Sequence, residues 1–166
     1  MPKTDSFFIR TTKDLGNTNT YHEKSIDLGA FVDALGKSVL RIHNIDVAFT
    51  DNTGRSNVVS APCAAQFQLL TQSQTDIVLP SDKSVVASGR VNVDGAGSSL
   101  PTWTGNNLDI GPQHWTNGYL VGVETMYLGG AASTGFDGDV YCTVVMECTV
   151  ETLSEKAAMA LALSQQ

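Results

Sequence analysis

The chain of 166 residues has the size of one domain, and a chain of that length buries roughly 68–70% of its unfolded surface, enough to fold without a disulfide or metal staple. Charged residues make up 16% of it and hydrophobic residues 42%, against about 25% charged in typical soluble domains; so sparsely charged a surface leaves area for neighbours and points to an obligate oligomer. The net charge is −7, and the ten Lys+Arg are scattered singly from Lys3 to Lys156, which excludes the basic patch that phosphate binding needs.

In chain order, β-branched and aromatic runs separated by Gly, Asn, Asp, Ser and Pro predict strands over 6–12 and 21–28. A short helix over 30–35 is stopped by Gly36. The strand over 38–50 changes parity: Leu40 and Ile42 share one face, Ile45, Val47 and Phe49 the other. That predicts a β-bulge or bend near His43 and Asn44. The turn Asp51-Asn52-Thr53-Gly54 closes the run.

Weaker strands follow over 64–70, 76–79, 84–93 and 119–128, with loops of small residues over 94–99 and 129–138. The clearest strand is 140–150, where Val140, Cys142, Val144, Met146, Cys148 and Val150 alternate with Thr143, Glu147 and Thr149. Thr152-Leu153-Ser154-Glu155 has capping-box spacing ahead of the helix-forming run 156–163. Met159 and Leu163 lie one turn apart and Leu161 off their stripe; this Ala-rich helix has two placements open, on its own sheet or on a neighbouring subunit.

Eight short strands in a chain of this size predict an all-β, two-sheet antiparallel sandwich, with a single jelly roll as the leading topology. An immunoglobulin-like or lectin sandwich is second, and the Cys…Trp…Cys pattern of true immunoglobulin domains is missing. No linker or repeat divides residues 1–166, so one domain is expected. No secretory segment follows Met1 and no apolar run approaches about 18 residues, so neither a signal peptide nor a membrane span is expected.

Chemistry-bearing residues are few and poorly clustered. Cys142 and Cys148 on one strand would sit ~20 Å apart at about 3.3 Å per residue, too far to bond, and no Cys/His spacing suits a metal. His22, His43 and His114 belong to no nucleophile or zinc motif. Asp51–Gly54 and Phe136-Asp137-Gly138-Asp139 resemble calcium loops but lack the full ligand pattern, and turn chemistry accounts for both. Gly95, Gly97, Gly129 and Gly130 form no phosphate cradle. No catalytic residue, metal or cofactor is therefore expected. Trp103, Trp115 and Tyr119 fit either a sugar-stacking face or a core or interface anchor, and aromatics are enriched at interfaces.

The segments 21–46 (with Ile-Asp-Leu-Gly-Ala-Phe-Val-Asp-Ala-Leu-Gly-Lys-Ser-Val-Leu-Arg-Ile-His-Asn), 71–79 (Thr-Gln-Ser-Gln-Thr-Asp-Ile-Val-Leu), 115–124 and 146–166 resemble virion proteins of uncultured marine viruses. In size and pattern the chain also resembles the single jelly-roll coat proteins of tailless icosahedral viruses. The resemblance implies a capsid protein, made in the host cytoplasm and located in the virion, whose partners are copies of itself and possible further coat or minor virion proteins. Expected contact elements are the loop over 100–116 and the helix over 155–166, with Trp103, Trp115, Tyr119, Met159, Leu161 and Leu163 as interface residues. The alternatives are a phage decoration, tail-associated or receptor- and glycan-binding module, and a sandwich-fold glycosidase, which would need two positioned carboxylates.

Overall fold

A computed structural model of the chain describes residues 5–33, 37–94, 102–104 and 115–165. The described residues form strands β1 (Phe7–Asp14), β2 (His22–Asp27), β3 (Ser38–Thr50), β4 (Cys63–Leu70), β5 (Val85–Asp94), β6 (Thr102–Thr104), β7 (Tyr119–Val121), β8 (Thr125–Ala132) and β9 (Tyr141–Thr152), then helix α1 (Glu155–Ser164).

Two antiparallel sheets result, ordered β1-β9-β3-β7 and β2-β8-β4-β5-β6. Strand β6 is a short edge addition. With it set aside and the remaining eight lettered B to I in chain order, the sheets read B-I-D-G and C-H-E-F, the double Greek key of a jelly roll. The expected sandwich is therefore present, in its leading topology.

The alternation along β9 puts Cys142, Val144, Met146 and Cys148 into the core against Leu40, Ile42 and Ile45 of β3 and Met126 and Leu128 of β8. Opposite parities in β3 are reconciled by a register shift between Ile42 and Asn44 against β9, so apolar residues on both sides of the bulge turn inward.

Five expectations are corrected. Residues 76–79 form no strand: Gln68 Nε2 donates to the Asp76 carbonyl at 3.2 Å and its Oε1 accepts from Val78 N at 3.0 Å. A side-chain amide there takes the place of a partner strand. The strand expected over 119–128 is two strands, because the chain leaves the first sheet after Val121 and enters the second at Thr125. Residues 129–132 belong to β8, not to the following loop. The cap of α1 is Ser154 rather than Thr152, which ends β9. Of the helix expected over 30–35, the part before residue 34 is a turn in which Phe31 N and Val32 N donate to Leu28 O at 2.8 and 2.9 Å; residues 34 and 35 lie outside the described residues.

Candidate functional site: the C-terminal helix and its anchors

Helix α1 begins where the extended Ser154 (φ −63°, ψ 150°) accepts a bond from Ala157 N through its side chain, satisfying one of the free donors of a first turn. Ala158 and Ala162 are the buried helix residues, at 1% and 6% exposure. The Leu161 side chain lies over Gly122, where an added Cβ would stand 3.0 Å from Leu161 Cγ. An added Cβ there would be tighter than an ordinary van der Waals contact, so a residue without a side chain lets the helix sit this close to the β7–β8 corner without a shift.

Gln165 fastens the far end. Its Nε2 donates to the Leu120 carbonyl at 2.7 Å, its Oε1 accepts from Gly122 N at 2.7 Å, and its own carbonyl accepts from Thr71 Oγ1 at 3.1 Å. The helix is thus tied to the β7–β8 corner and to the segment leaving β4.

The opposite face is open. Met159 is 47% and Leu163 69% exposed, and they share a face with exposed Lys156 and Ala160 at helical spacing. The first of the two placements left open by the sequence is present: small residues pack on the chain's own domain, and the larger apolar ones point away. Leu161, half-buried against Gly122, belongs to the inner contact.

Trp115 and Tyr119 are half-buried neighbours, ring centroids 5.5 Å apart, packed against the edge of the core. Burial pushes the Tyr119 phenol above its ordinary value, opposed by a hydrogen bond with Gln165, so the aromatic pair and the helix anchor form one connected patch. Trp103 stands on β6 opposite Val93 in the register. The rest of the 100–116 loop, His114 included, lies outside the described residues except for 115 and 116.

Beside this patch, Arg41 bridges β3 to the chain entering β7. Its Nε and Nη2 donate to Glu151 Oε1 and Oε2 at 2.7 and 2.8 Å, and its Nη1 donates to the Asn117 carbonyl. Gly118 has φ +75°, and a Cβ there would meet the Ile42 carbonyl at 2.5 Å. Together these fix the wall of a groove of about 440 Å³ lined by Arg41, His43, Trp115, Thr116, Asn117 and Gly118. His43 Nε2 lies 2.9 Å from Thr149 Oγ1. The Arg41–Glu151 pair and the Gln165 anchor carry no motif and escape sequence reading, because their partners are 110 and 45 residues away.

Among the described residues, Phe8, Val58 and Leu79 are exposed apolar side chains away from α1. Phe8 is 51% exposed on edge strand β1 with the Arg10 guanidinium 5.3 Å from its ring centroid, and Leu79 is 75% exposed. Cys63, Cys142 and Cys148 are free and buried. No helix among the described residues is long and apolar enough to cross a membrane.

No protein-family model and no curated protein matches the sequence. Among solved structures, the chain is similar to the unassembled VP1 pentamer of Merkel cell polyomavirus, at 8% identity over 89% of this chain and 96% of that one, with a TM-score of 0.43. The VP1 pentamer of human polyomavirus 6 is similar at 9% identity over 92% and 98%, with a TM-score of 0.47. Desmodium yellow mottle tymovirus is similar at 10% over 92% and 90%, with a TM-score of 0.34. The jelly-roll assignment rests on this chain's own strand order.

Proposed function

We propose that the protein is a non-enzymatic building block of a viral capsid, assembling with copies of itself into an icosahedral shell. The observation that carries this reading is helix α1, anchored through Ser154 and Gln165 yet turning Met159, Ala160 and Leu163 to solvent. An apolar stripe gains by being covered, and a stripe already fixed in place loses little further entropy on docking. The jelly-roll order supports the reading, since coats are commonly built on that fold, although lectins are too. Low charge and the resemblance of four segments to virion proteins add to it.

Specific stable interfaces bury about 1,200–2,000 Å², more than one helical stripe supplies, so Phe8 on β1 and Leu79 are further contact positions. The net charge of −7 bears on what lies inside such a shell. A lipid layer or a separate basic protein lies between coat and genome, or the genome is confined without specific contacts. A high-resolution particle map with nucleic acid ordered against this domain would overturn that part. Light scattering with negative-stain electron microscopy of purified protein tests the assembly itself.

A second reading, a glycan-binding module, is favoured by the groove that sets Trp115 beside Arg41, His43 and Asn117. A glycan-array signal abolished by Trp115→Ala would support it, and a silent array with a self-assembling protein would remove it.

A further inference from the structure

Of the asparagines in the chain, only Asn117 is followed by glycine, and the fold imposes that pairing. Gly118 has φ +75°, and a Cβ on it would meet the Ile42 carbonyl oxygen at 2.5 Å and Arg41 Cγ at 3.2 Å. Any other residue there would force the backbone to shift. Asn117 itself is exposed, and residues 116–117 form a bend that leads into β7 at Tyr119.

Asparagine is a chemically labile residue. Its side-chain amide carbon is open to attack by the backbone nitrogen that follows it, which closes a cyclic imide. The ring closes most readily when the following residue has no side chain to crowd it. The attacking species is the deprotonated peptide nitrogen, whose negative charge rests largely on the oxygen of the same peptide group. In this protein that oxygen is the Asn117 carbonyl, and it accepts from Arg41 Nη1. A hydrogen bond from a cation to the charged form of a group favours that form. Glu151 keeps Arg41 in place, since its buried carboxylate takes Nε and Nη2 of the same guanidinium in a bidentate grip.

We propose that Asn117–Gly118 is a site of spontaneous deamidation in the folded protein, assisted by Arg41. The Gly118 N–H gives its proton to solvent, and the nitrogen bonds to Asn117 Cγ. The Cγ–Nδ2 bond then breaks, and the departing nitrogen takes a proton from solvent and leaves as ammonia. Water opens the imide by one of two routes. Breaking the bond from Gly118 N to Cγ gives aspartate; breaking the bond from Gly118 N to the main-chain carbonyl carbon gives isoaspartate. One water is consumed and one ammonia released, with no change of oxidation state. Either product adds a negative charge to the groove wall beside Arg41, His43 and Trp115. Isoaspartate also routes the main chain through Cβ just ahead of β7. The inference does not depend on the assembly reading.

The test is incubation of full-length protein in mildly alkaline buffer, native and in urea, followed over time by peptide mass spectrometry and an isoaspartate assay. The wild-type peptide containing Asn117 should gain the mass difference of –OH over –NH₂ and separate into aspartate and isoaspartate forms. It should do so at least as fast in native protein as in urea. Asn117→Gln should stay unmodified at that position over the same period. The double variant Arg41→Met/Glu151→Leu removes the donor without leaving Glu151 buried and alone, and its urea midpoint checks that it is folded. Folded, it should convert about tenfold more slowly than wild type, the rate equivalent of about 1.4 kcal/mol; in urea the two should match. An Asn117 that stays intact in native protein while converting in urea would overturn the proposal, because folding would then protect the bond. So would a folded double variant that converts as fast as wild type. The wild-type comparison decides alone if the double variant does not fold.

Discussion

Arg41 and Glu151 face each other across β3 and β9 as a bidentate ion pair, with bonds of 2.7 and 2.8 Å and a Glu151 side chain at 0% exposure. The pair is diagonal, since Arg41 stands opposite Thr149 and Glu151 opposite Val39 in the register. It joins the sheet to the segment that carries Trp115 and Gly118. Removing one partner strands a buried charge, which costs about 3–5 kcal/mol, whereas replacing both by apolar residues is often neutral. Urea unfolding should therefore show Glu151→Leu and Arg41→Met each strongly destabilised and the double variant largely restored; additive losses would contradict this.

Gly122 and Gln165 decide whether α1 is fixed. A valine at position 122 has a Cβ placed 3.0 Å from Leu161 Cγ and 3.2 Å from Ala162 N, so Gly122→Val should lever the helix off its seat. Gln165→Ala removes two side-chain bonds and leaves the Gly122 N–H and Leu120 carbonyl bare, at about 1–3 kcal/mol for each buried group left unpaired. Both variants should be clipped within 155–165 by a protease at doses that leave wild type whole. Equal resistance would show that the helix is held by other contacts.

Cys142 and Cys148 have 0% exposure, and burial pushes both thiols up to about 12. At pH 8 the thiolate that attacks a disulfide reagent is nearly absent. A colorimetric thiol assay should find neither of them in native protein and all three cysteines in urea, with Cys63, at 8% exposure, reacting slowly. Rapid native labelling of two or more thiols would contradict the packing of β9.

Asp82 holds the turn before β5, its Oδ1 accepting from Ser84 N at 2.9 Å and Ser84 Oγ at 2.7 Å. Those bonds hold its carboxyl below the usual range. The folded state therefore binds this proton less tightly than the unfolded chain. Its stabilisation is complete above the unfolded value of about 3.9 and fades as pH falls through the lower folded value. The stability gap between wild type and Asp82→Ala, from urea midpoints, should be constant between pH 5 and pH 7 and narrow below pH 4. A gap that widens in acid would contradict the assignment.

Much of this fold was legible because two-residue periodicity reports burial directly. The inward row from Cys142 to Cys148 and the bulge between Ile42 and Asn44 follow from parity alone. Ile77 and Val78 misled because β-branched residues do not say whether a strand or the Gln68 amide will meet their backbone. The break at Gly122 was hidden because the apolar run continues while the chain changes sheets. Met159 and Leu163 were found by helical spacing, but their outward direction depends on Ala158, Ala162 and Gly122 being small enough to seat the other face. The turns at Asp51 and Asp139 line one pocket, and local patterns do not encode a meeting of residues nearly 90 apart in sequence.

Assembly is proposed to run through the outward face of α1. Its most direct test compares wild type with Met159→Glu/Leu163→Glu by multi-angle light scattering and negative-stain electron microscopy. Both replaced side chains are exposed, so the variant subunit should keep its stability within about 0.5 kcal/mol. Wild type should form rings, capsomers or closed shells, and the variant folded, unassembled subunits. A wild type that stays monomeric at high concentration, or a variant that assembles as well as wild type, would contradict it.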